Sequence, residues 1–421
     1  MGEGMKQSDK SRSVSAEGSS ASADNVKALH PGAQSSVPET WPYFAEDEIA
    51  AVAAVMRSGR VNQWTGDKVF EFERQLAELC AVPHAIALVN GSVALELALR
   101  VLGIGPGDEV IVTPRSFIAS ASAVNLAGAT PVFADVDAAS QNISANTISL
   151  LIGPKTKAII PVHLAGWPCD MPAIMALAER HKLHVIEDCA QAVGATIEGR
   201  PVGSFGHMAA FSFCQDKIIT TGGEGGALLL QDEAHWRKAW SFKDHGKSYD
   251  LAMASPSGLS YRWLHQDFGT NWRMTEIQAA GGLAQLKKLD RWLNARAQNA
   301  GIWRAALAPL ACLEVPDPPQ SMRHAYYKFY AFVKPERLVD GVDRDTILKA
   351  LADGGVRALY GSCAEIYRER AYADQRIARR PTAKRLGETS LMFEVHPTLD
   401  RERLKATAAR AAEIIKRFER A

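Results

Sequence analysis

Cysteine is scarce in this chain: six residues in 421, with no CxxC pair and no zinc-site spacing among Cys80, Cys169, Cys189, Cys214, Cys312 and Cys363. That scarcity argues against a disulfide framework and fits reduced thiols, as in a cytoplasmic protein. Long apolar runs are also missing, and none nears the ~20 residues a helix needs to cross a bilayer. Neither sign of charge dominates. The formal net charge is +1, so charge gives no reason to expect a nucleic acid or a membrane surface as partner. No internal repeat is apparent. The opening stretch, MGEGMKQSDKSRSVSAEGSSASADNVKALHPGAQSSVP, is rich in Ser, Ala and Gly and lacks the apolar core of a signal peptide. Residues 1–38 therefore read as a disordered tail.

What the chain does have is length and a regular texture. With 47% hydrophobic and 23% charged residues it reads as globular, long enough for a large buried core and two modest domains. AEDEIAAVAAVMRSG carries acidic residues in its first turn and Gly59 at its end, which predicts a helix; FEFERQLAELC predicts a second. Short apolar runs then alternate with helical patterns. HAIALV, DEVIVTP, TPVFADV, KAIIPVHL and LHVIEDCA are the expected strands, with VALELALRVLG, FIASASAVNLAG and MPAIMALAERHK between them. That order predicts an α/β fold with a mostly parallel sheet covered on both faces. Beyond about Asn294 the rhythm loosens. HAYYKFYAFVKP reads as a strand, DRDTILKALADGG as a helix, and Leu404, Ala408, Ala411, Ile415 and Phe418 share one helical face. We expect a large domain over 39–293 and a smaller α+β domain over 294–421.

In a parallel α/β sheet, ligands bind beyond the carboxyl ends of the strands. Three features fall at such places. Asn90-Gly91-Ser92 follows a strand and opens a helix, leaving backbone N–H groups for an anion, although an ordinary strand-to-helix turn looks the same. Asp188 closes the apolar LHVIED and is either a helix cap or a functional acid. Lys217 sits between apolar residues and a glycine-dense turn in FSFCQDKIITTGGEGG. Partial burial would favour its neutral, nucleophilic amine; the plain alternative is a surface lysine. GIGPGD follows a helix rather than a strand and does not qualify as a dinucleotide loop. An anion cradle, a carboxylate at a strand end and a later lysine are together the parts that pyridoxal 5'-phosphate (PLP) requires, for its phosphate, its ring nitrogen and its aldehyde.

The wording and order of NGSVALELALRVLGIGPGDEVIVTPRSFIASASAVNLAGATPVFADVD, IEDCAQAVGA, FSFCQDKIITTGGEGG and GTNWRMTEIQAA resemble the DegT/DnrJ/EryC1/StrS family. The likeness runs from about Trp41 to the C-terminus. It implies the aspartate-aminotransferase fold (fold type I), PLP, a homodimer with shared active sites, and amino transfer from L-glutamate to a nucleotide-linked keto sugar, with the 4-keto-6-deoxy type the commoner one. It further implies that Lys217 is the Schiff-base lysine and Asp188 the partner of the ring nitrogen, with Gln191 beside the ring's 3-hydroxyl. Gly91, Ser92, Val93 and Ser212 match phosphate ligands, and Phe117 the residue stacked on the ring. Asn271 matches an asparagine that reaches the neighbouring subunit's phosphate. No metal is implied. The family's sugar 3-dehydratases carry histidine at the lysine position, so Lys217 argues against that chemistry, and the intact motifs argue against a non-catalytic relative.

Departures from the pattern carry expectations of their own. Cys-Gln-Asp precedes Lys217 where the family has an aromatic residue or His and then a small hydroxyl residue. Asp216 would favour a charged lysine if it faced the amine, so it is expected to point away. The segment from Phe242 to Met274 is long for the family and is a candidate cover for the substrate site. His163, His245, Arg273 and Trp64 are further candidates without an assigned role.

Overall fold

The computed structural model describes residues 39–254 and 261–420. The tail expected over 1–38 lies outside the described residues. Two helices come first, α1 (Glu46–Ser58) and α2 (Lys68–Leu79). Glu46, Asp47 and Glu48 fill the first turn of α1, where the helix dipole favours negative charge. Gly59 ends it at φ 69°, a left-handed conformation that costs glycine nothing. The alternation read from the sequence follows: β1 (His84–Leu88), α3 (Gly91–Val101), β2 (Glu109–Val112), α4 (Ala119–Leu126), β3 (Thr130–Phe133), then a short helix the sequence reading did not include, α5 (Ala145–Ser149), and β4 (Thr156–Ile160), α6 (Met171–His181) and β5 (His184–Asp188). A small hairpin, β6 (Thr196–Ile197) and β7 (Arg200–Pro201), precedes β8 (Met208–Ser212) and β9 (Gly226–Leu230).

Seven strands form the central sheet in the order β1-β9-β8-β5-β4-β2-β3. Pairings from β8 through β5, β4 and β2 to β3 are parallel, whereas β9 runs antiparallel to both β8 and β1. The sheet is thus mostly parallel, as expected. Every residue of β9 is buried, and burial on both faces hides strand direction from the sequence. The carboxyl ends of β1, β2, β5 and β8 consequently meet at one edge, with Gly226 at the start of β9 registered against Leu88 and Ser212.

The chain continues through α7 (Glu233–Lys243), α8 (Tyr249–Met253), α9 (Glu276–Leu286), α10 (Leu289–Leu307), β10 (Leu313–Glu314), β11 (Met322–Arg323), β12 (Phe329–Val333), α11 (Arg344–Asp353), α12 (Pro381–Thr389), β13 (Ser390–Phe393) and α13 (Arg401–Lys416). A second sheet has the order β10-β12-β13 and is antiparallel. Asp343 caps α11 by accepting from the Thr346 N–H. Leu404, Ala408, Ala411 and Ile415 of α13 face this sheet's core together with Trp303, Phe329 and Phe393. The proposed division at 293/294 falls inside α10. Leu289, Trp292 and Leu293 at its start pack with the central-sheet cluster, and Ala300, Trp303 and Leu307 further on pack with the smaller one. One rigid helix therefore belongs to both cores.

Candidate active site

The edge where the parallel strands end opens into a cavity of about 600 Å³. Its wall includes Gly91, Ser92, Phe117, Asp188, Gln191, Ser212 and Lys217, seven of the nine positions expected from the sequence. Parallel strands bring these residues together although they are spread along the chain.

The first turn of α3 forms one side. Asn90 caps the helix by accepting the Val93 N–H at 3.0 Å, so Val93 is spent on the cap and does not line the cavity. Gly91 and Ser92 remain there, at the positive end of the helix dipole. Glycine is demanded on both sides of this contact. A Cβ on Gly226 would stand 2.3 Å from the Asn90 carbonyl carbon, and one on Gly91 would stand 2.7 Å from the Ser212 Cβ.

Asp188 ends β5 with 4% of its surface exposed. Ser120 donates to Oδ2 at 2.8 Å and the Ala190 N–H to Oδ1 at 3.1 Å. Burial pushes its carboxyl above the usual carboxylate range, against the pull of those two hydrogen bonds and of Lys217. Gln191 accepts the Ala165 N–H at 2.8 Å on Oε1, leaving its amide nitrogen as the other hydrogen-bonding group. Phe117 is 67% exposed, a large apolar face left open on the rim.

Lys217 is held at its backbone. Its N–H donates to the Cys214 carbonyl, and the Trp41 indole donates to its own carbonyl at 2.8 Å. The expectation that Asp216 points away from the amine is wrong. Oδ1 lies 3.8 Å from Lys217 Nζ, because the Tyr327 hydroxyl donates to Oδ2 and turns the carboxylate inward. The sequence reading also missed Ser120 and Tyr327. Ser120 left a trace in RSFIAS at a strand-to-helix turn; Tyr327 left none, since its partner is 111 residues away.

Asn271 is exposed and does not line the cavity of its own chain. It bridges Asp244, while its neighbours Trp272 and Arg273 pair with Val89 and Leu88 at the end of β1. Arg273 is bound to buried Asp244 at 2.7 Å, and Lys247, 3.0 Å from the same carboxylate, lies 4.5 Å from the Trp64 ring centre. His245 is exposed at φ 59°. Arg273, Trp64 and His245 thus group around Asp244 and Asn271, outside the cavity. His163 is structural. Its Nδ1 accepts the Cys169 N–H, so Nε2 carries the proton toward Glu187 Oε2 at 3.1 Å. Glu187 also accepts the N–H groups of Gly203, Phe205 and Gly206. Cys189 stands near both. With both ring nitrogens engaged, the carboxylate saturated and burial pushing the Cys189 thiol well above its ordinary range, the trio is a satisfied core network rather than a metal centre.

A lysine, a buried carboxylate and a helix N-terminus in one cavity suit an amine-transferring site. The sequence pattern of the DegT/DnrJ/EryC1/StrS aminotransferase family matches residues 42–411. The chain belongs to this family. The GDP-perosamine synthase of Caulobacter vibrioides is 43% identical over 296 residues, covering 70% of this chain and 76% of that protein. UDP-N-acetyl-3-dehydro-alpha-D-glucosamine 3-aminotransferase of Acidithiobacillus ferrooxidans is 38% identical over 354 residues, 84% of this chain and 89% of that one. Among solved structures, an aminotransferase from Psychrobacter cryohalolentis superposes with a TM-score of 0.88 at 49% identity, covering 90% of this chain and 99% of the other. Family membership makes the chain an aminotransferase of fold type I.

Proposed function

We propose that this aminotransferase uses PLP to move an amino group from L-glutamate to a nucleotide-linked keto sugar, for amino-sugar or polysaccharide biosynthesis. The observation that carries the proposal is the single cavity shared by Lys217, Asp188 and the N-terminal turn of α3. The residues fit the cofactor. Asp188 is buried without an ion pair and its oxygens accept only from Ser120 and Ala190 among the described residues, which suits a cationic ring nitrogen. Gly91 lets the first turn of α3 lie directly against Ser212, where a Cβ would stand 2.7 Å from the serine Cβ, so both phosphate candidates face one space. When bound, the cofactor supplies an electron sink for the amino acid's α-carbon.

The chain's own groups do the rest. Lys217 Nζ would anchor the cofactor aldehyde and, once displaced by substrate, hold and deliver the proton that leaves the α-carbon. Asp188 keeps the ring nitrogen protonated. Gly91, Ser92 and Ser212 hold the phosphate, Gln191 orients the ring's hydroxyl, and Phe117 covers the ring face. The amine goes to a 4-keto-6-deoxy sugar in this reading, with a 3-keto sugar as the competing substrate. We place the enzyme in the cytoplasm as a homodimer, Asn271 serving the partner's phosphate. Among the described residues no helix is long and apolar enough to cross a membrane.

The test is spectroscopic and kinetic. Purified protein should bind PLP, and glutamate alone should convert the bound cofactor to its pyridoxamine form. A panel of 3-keto and 4-keto nucleotide sugars should then show which one returns it. Lys217→Ala should abolish steady turnover; normal turnover in that variant would end the proposal.

A further inference from the structure

Lys217 shares its cavity with two groups that a covalent anchor alone does not require. Asp216 Oδ1 stands 3.8 Å from Nζ, and the Tyr327 hydroxyl donates to the other carboxylate oxygen. The Tyr327 ring also faces the amine, with Nζ 4.9 Å from its centre. Tyr327 is fixed from outside the site. It is buried, its N–H donates to the Ala165 carbonyl at 2.8 Å, and its carbonyl accepts from Arg296 at 3.4 Å. Burial, with the Asp216 charge beside it, pushes the hydroxyl well above the ordinary tyrosine range. It therefore stays a donor and is no candidate for a base. Its effect is to occupy one oxygen of Asp216 and aim the other at the amine.

We propose that Asp216 and Tyr327 form a seat for the free Lys217 ammonium, holding it near the cofactor whenever it is not bonded to it. The inference rests on Lys217 being the cofactor anchor, and it assigns Asp216 and Tyr327 as positioning residues. The geometry suits a seat rather than a lock. At 3.8 Å the pair is longer than a hydrogen bond, so the attraction is mainly one of charge. The aromatic face adds a cation–π contribution within its ~6 Å range. Asp216 is 49% exposed at its side chain, which screens the attraction and keeps it modest. A group that must swing back to the cofactor needs a partner of that strength. A buried, hydrogen-bonded ion pair would hold it too firmly.

The experiment uses the full chain loaded with pyridoxamine phosphate, in which Lys217 carries no covalent bond to the cofactor. Acetic anhydride in small excess acylates neutral amines, and mass spectrometry follows the Lys217 peptide at one fixed pH. Asp216→Asn should label up to about fivefold faster than the parent, the upper end expected for a half-exposed, screened charge pair. Tyr327→Phe keeps the ring and should label faster by a smaller factor. The double variant should label no faster than Asp216→Asn, because both changes act through one carboxylate. Asp216→Glu keeps the charge and should return labelling close to the parent rate. Equal rates across the set would overturn the seat, and so would a Glu variant as fast as the Asn variant, since packing would then be the protector. A separate control tests the reading underneath. PLP-loaded parent protein reduced with borohydride should carry the cofactor on Lys217; cofactor on another lysine would refute the anchor assignment whatever the labelling showed.

Discussion

Gly91 opens α3 against Ser212 so closely that a Cβ on the glycine would stand 2.7 Å from the serine Cβ and 3.1 Å from the Phe211 carbonyl oxygen. That close packing of the first turn of α3 on β8 requires glycine, and it sets where the turn's N–H groups lie. In Gly91→Ala the first turn of α3 must lift away from β8, which overpacks a tight contact at a cost of about 1–3 kcal/mol. PLP affinity should fall about tenfold or more as the turn loses its aim, a tenfold loss being ~1.4 kcal/mol. Cofactor titration and thermal melting on the same preparation check both figures. A variant that melts and binds like the parent would show that the turn does not hold the phosphate.

Asp188→Asn keeps the shape of the side chain: its oxygen can still accept the Ala190 N–H, and its NH2 can donate to the Ser120 hydroxyl once that hydroxyl turns, so the fold should lose little. The chemistry should suffer far more, because a neutral amide no longer holds the ring nitrogen protonated; we expect the glutamate half-reaction to slow by about 10²-fold or more. The comparison requires half-reaction rates and melting temperatures from one sample. A large drop in melting temperature with ordinary chemistry in the folded fraction would return Asp188 to the role of a structural cap.

Local signals explain how much of this was readable. Acidic residues before an apolar stripe and Gly59 after it state where α1 begins and ends, because caps act over three or four residues; for α11 the sequence offers both Asp343 and Asp345 near the start, and the structure has Asp343 as the cap. Lys217 and Asp188 stood out for a similar reason: each interrupts apolar neighbours at the end of a run. What stayed hidden depends on pairing across the fold. The reversed direction of β9 carries no signature in a fully buried GALLL. The meeting of Asp216 with Tyr327 rests on a contact between residues 111 positions apart, and Glu187, which organises His163 and three backbone N–H groups, looks in sequence like any charge near a strand end.

His324 and His396 make stability depend on pH. Burial, with Arg304 nearby, holds His324 down at about 3, and burial with Arg296, Lys328 and Arg357 does the same to His396, against an unfolded value of 6.5. The folded protein therefore keeps both rings neutral while the unfolded chain takes up protons below pH 6.5. Stability contributed by these rings is present above that pH and is lost as pH falls toward 3, at up to about 1.4 kcal/mol per pH unit for each group. His324→Gln can still accept the Tyr326 N–H, which now donates to Nδ1 at 2.7 Å. Unfolding midpoints measured from pH 7.5 to 5 should fall less steeply for this variant than for the parent. Parallel curves would mean that His324 does not remain neutral in the folded state.

Asn271 sets the test of shared sites. It is exposed, lies outside its own chain's cavity, and sits on the segment that pairs with the end of β1 just ahead of the α3 cradle. A residue placed there, if it serves phosphate across a two-fold interface, gives each site Lys217 from one chain and Asn271 from the other. Mixing a Lys217→Ala chain with an Asn271→Ala chain then yields heterodimers in which one site carries both lesions and the other carries neither. With free exchange at equal amounts, activity should rise from two impaired parents to about a quarter of the unmodified level, since half the dimers are mixed and each has one intact site. Within a single chain the outcome differs: every mixed site would retain one lesion and mixing would restore nothing. Activity that stays flat across mixing ratios, with subunit exchange verified by mass, would assign Asn271 to its own subunit and remove the shared-site arrangement.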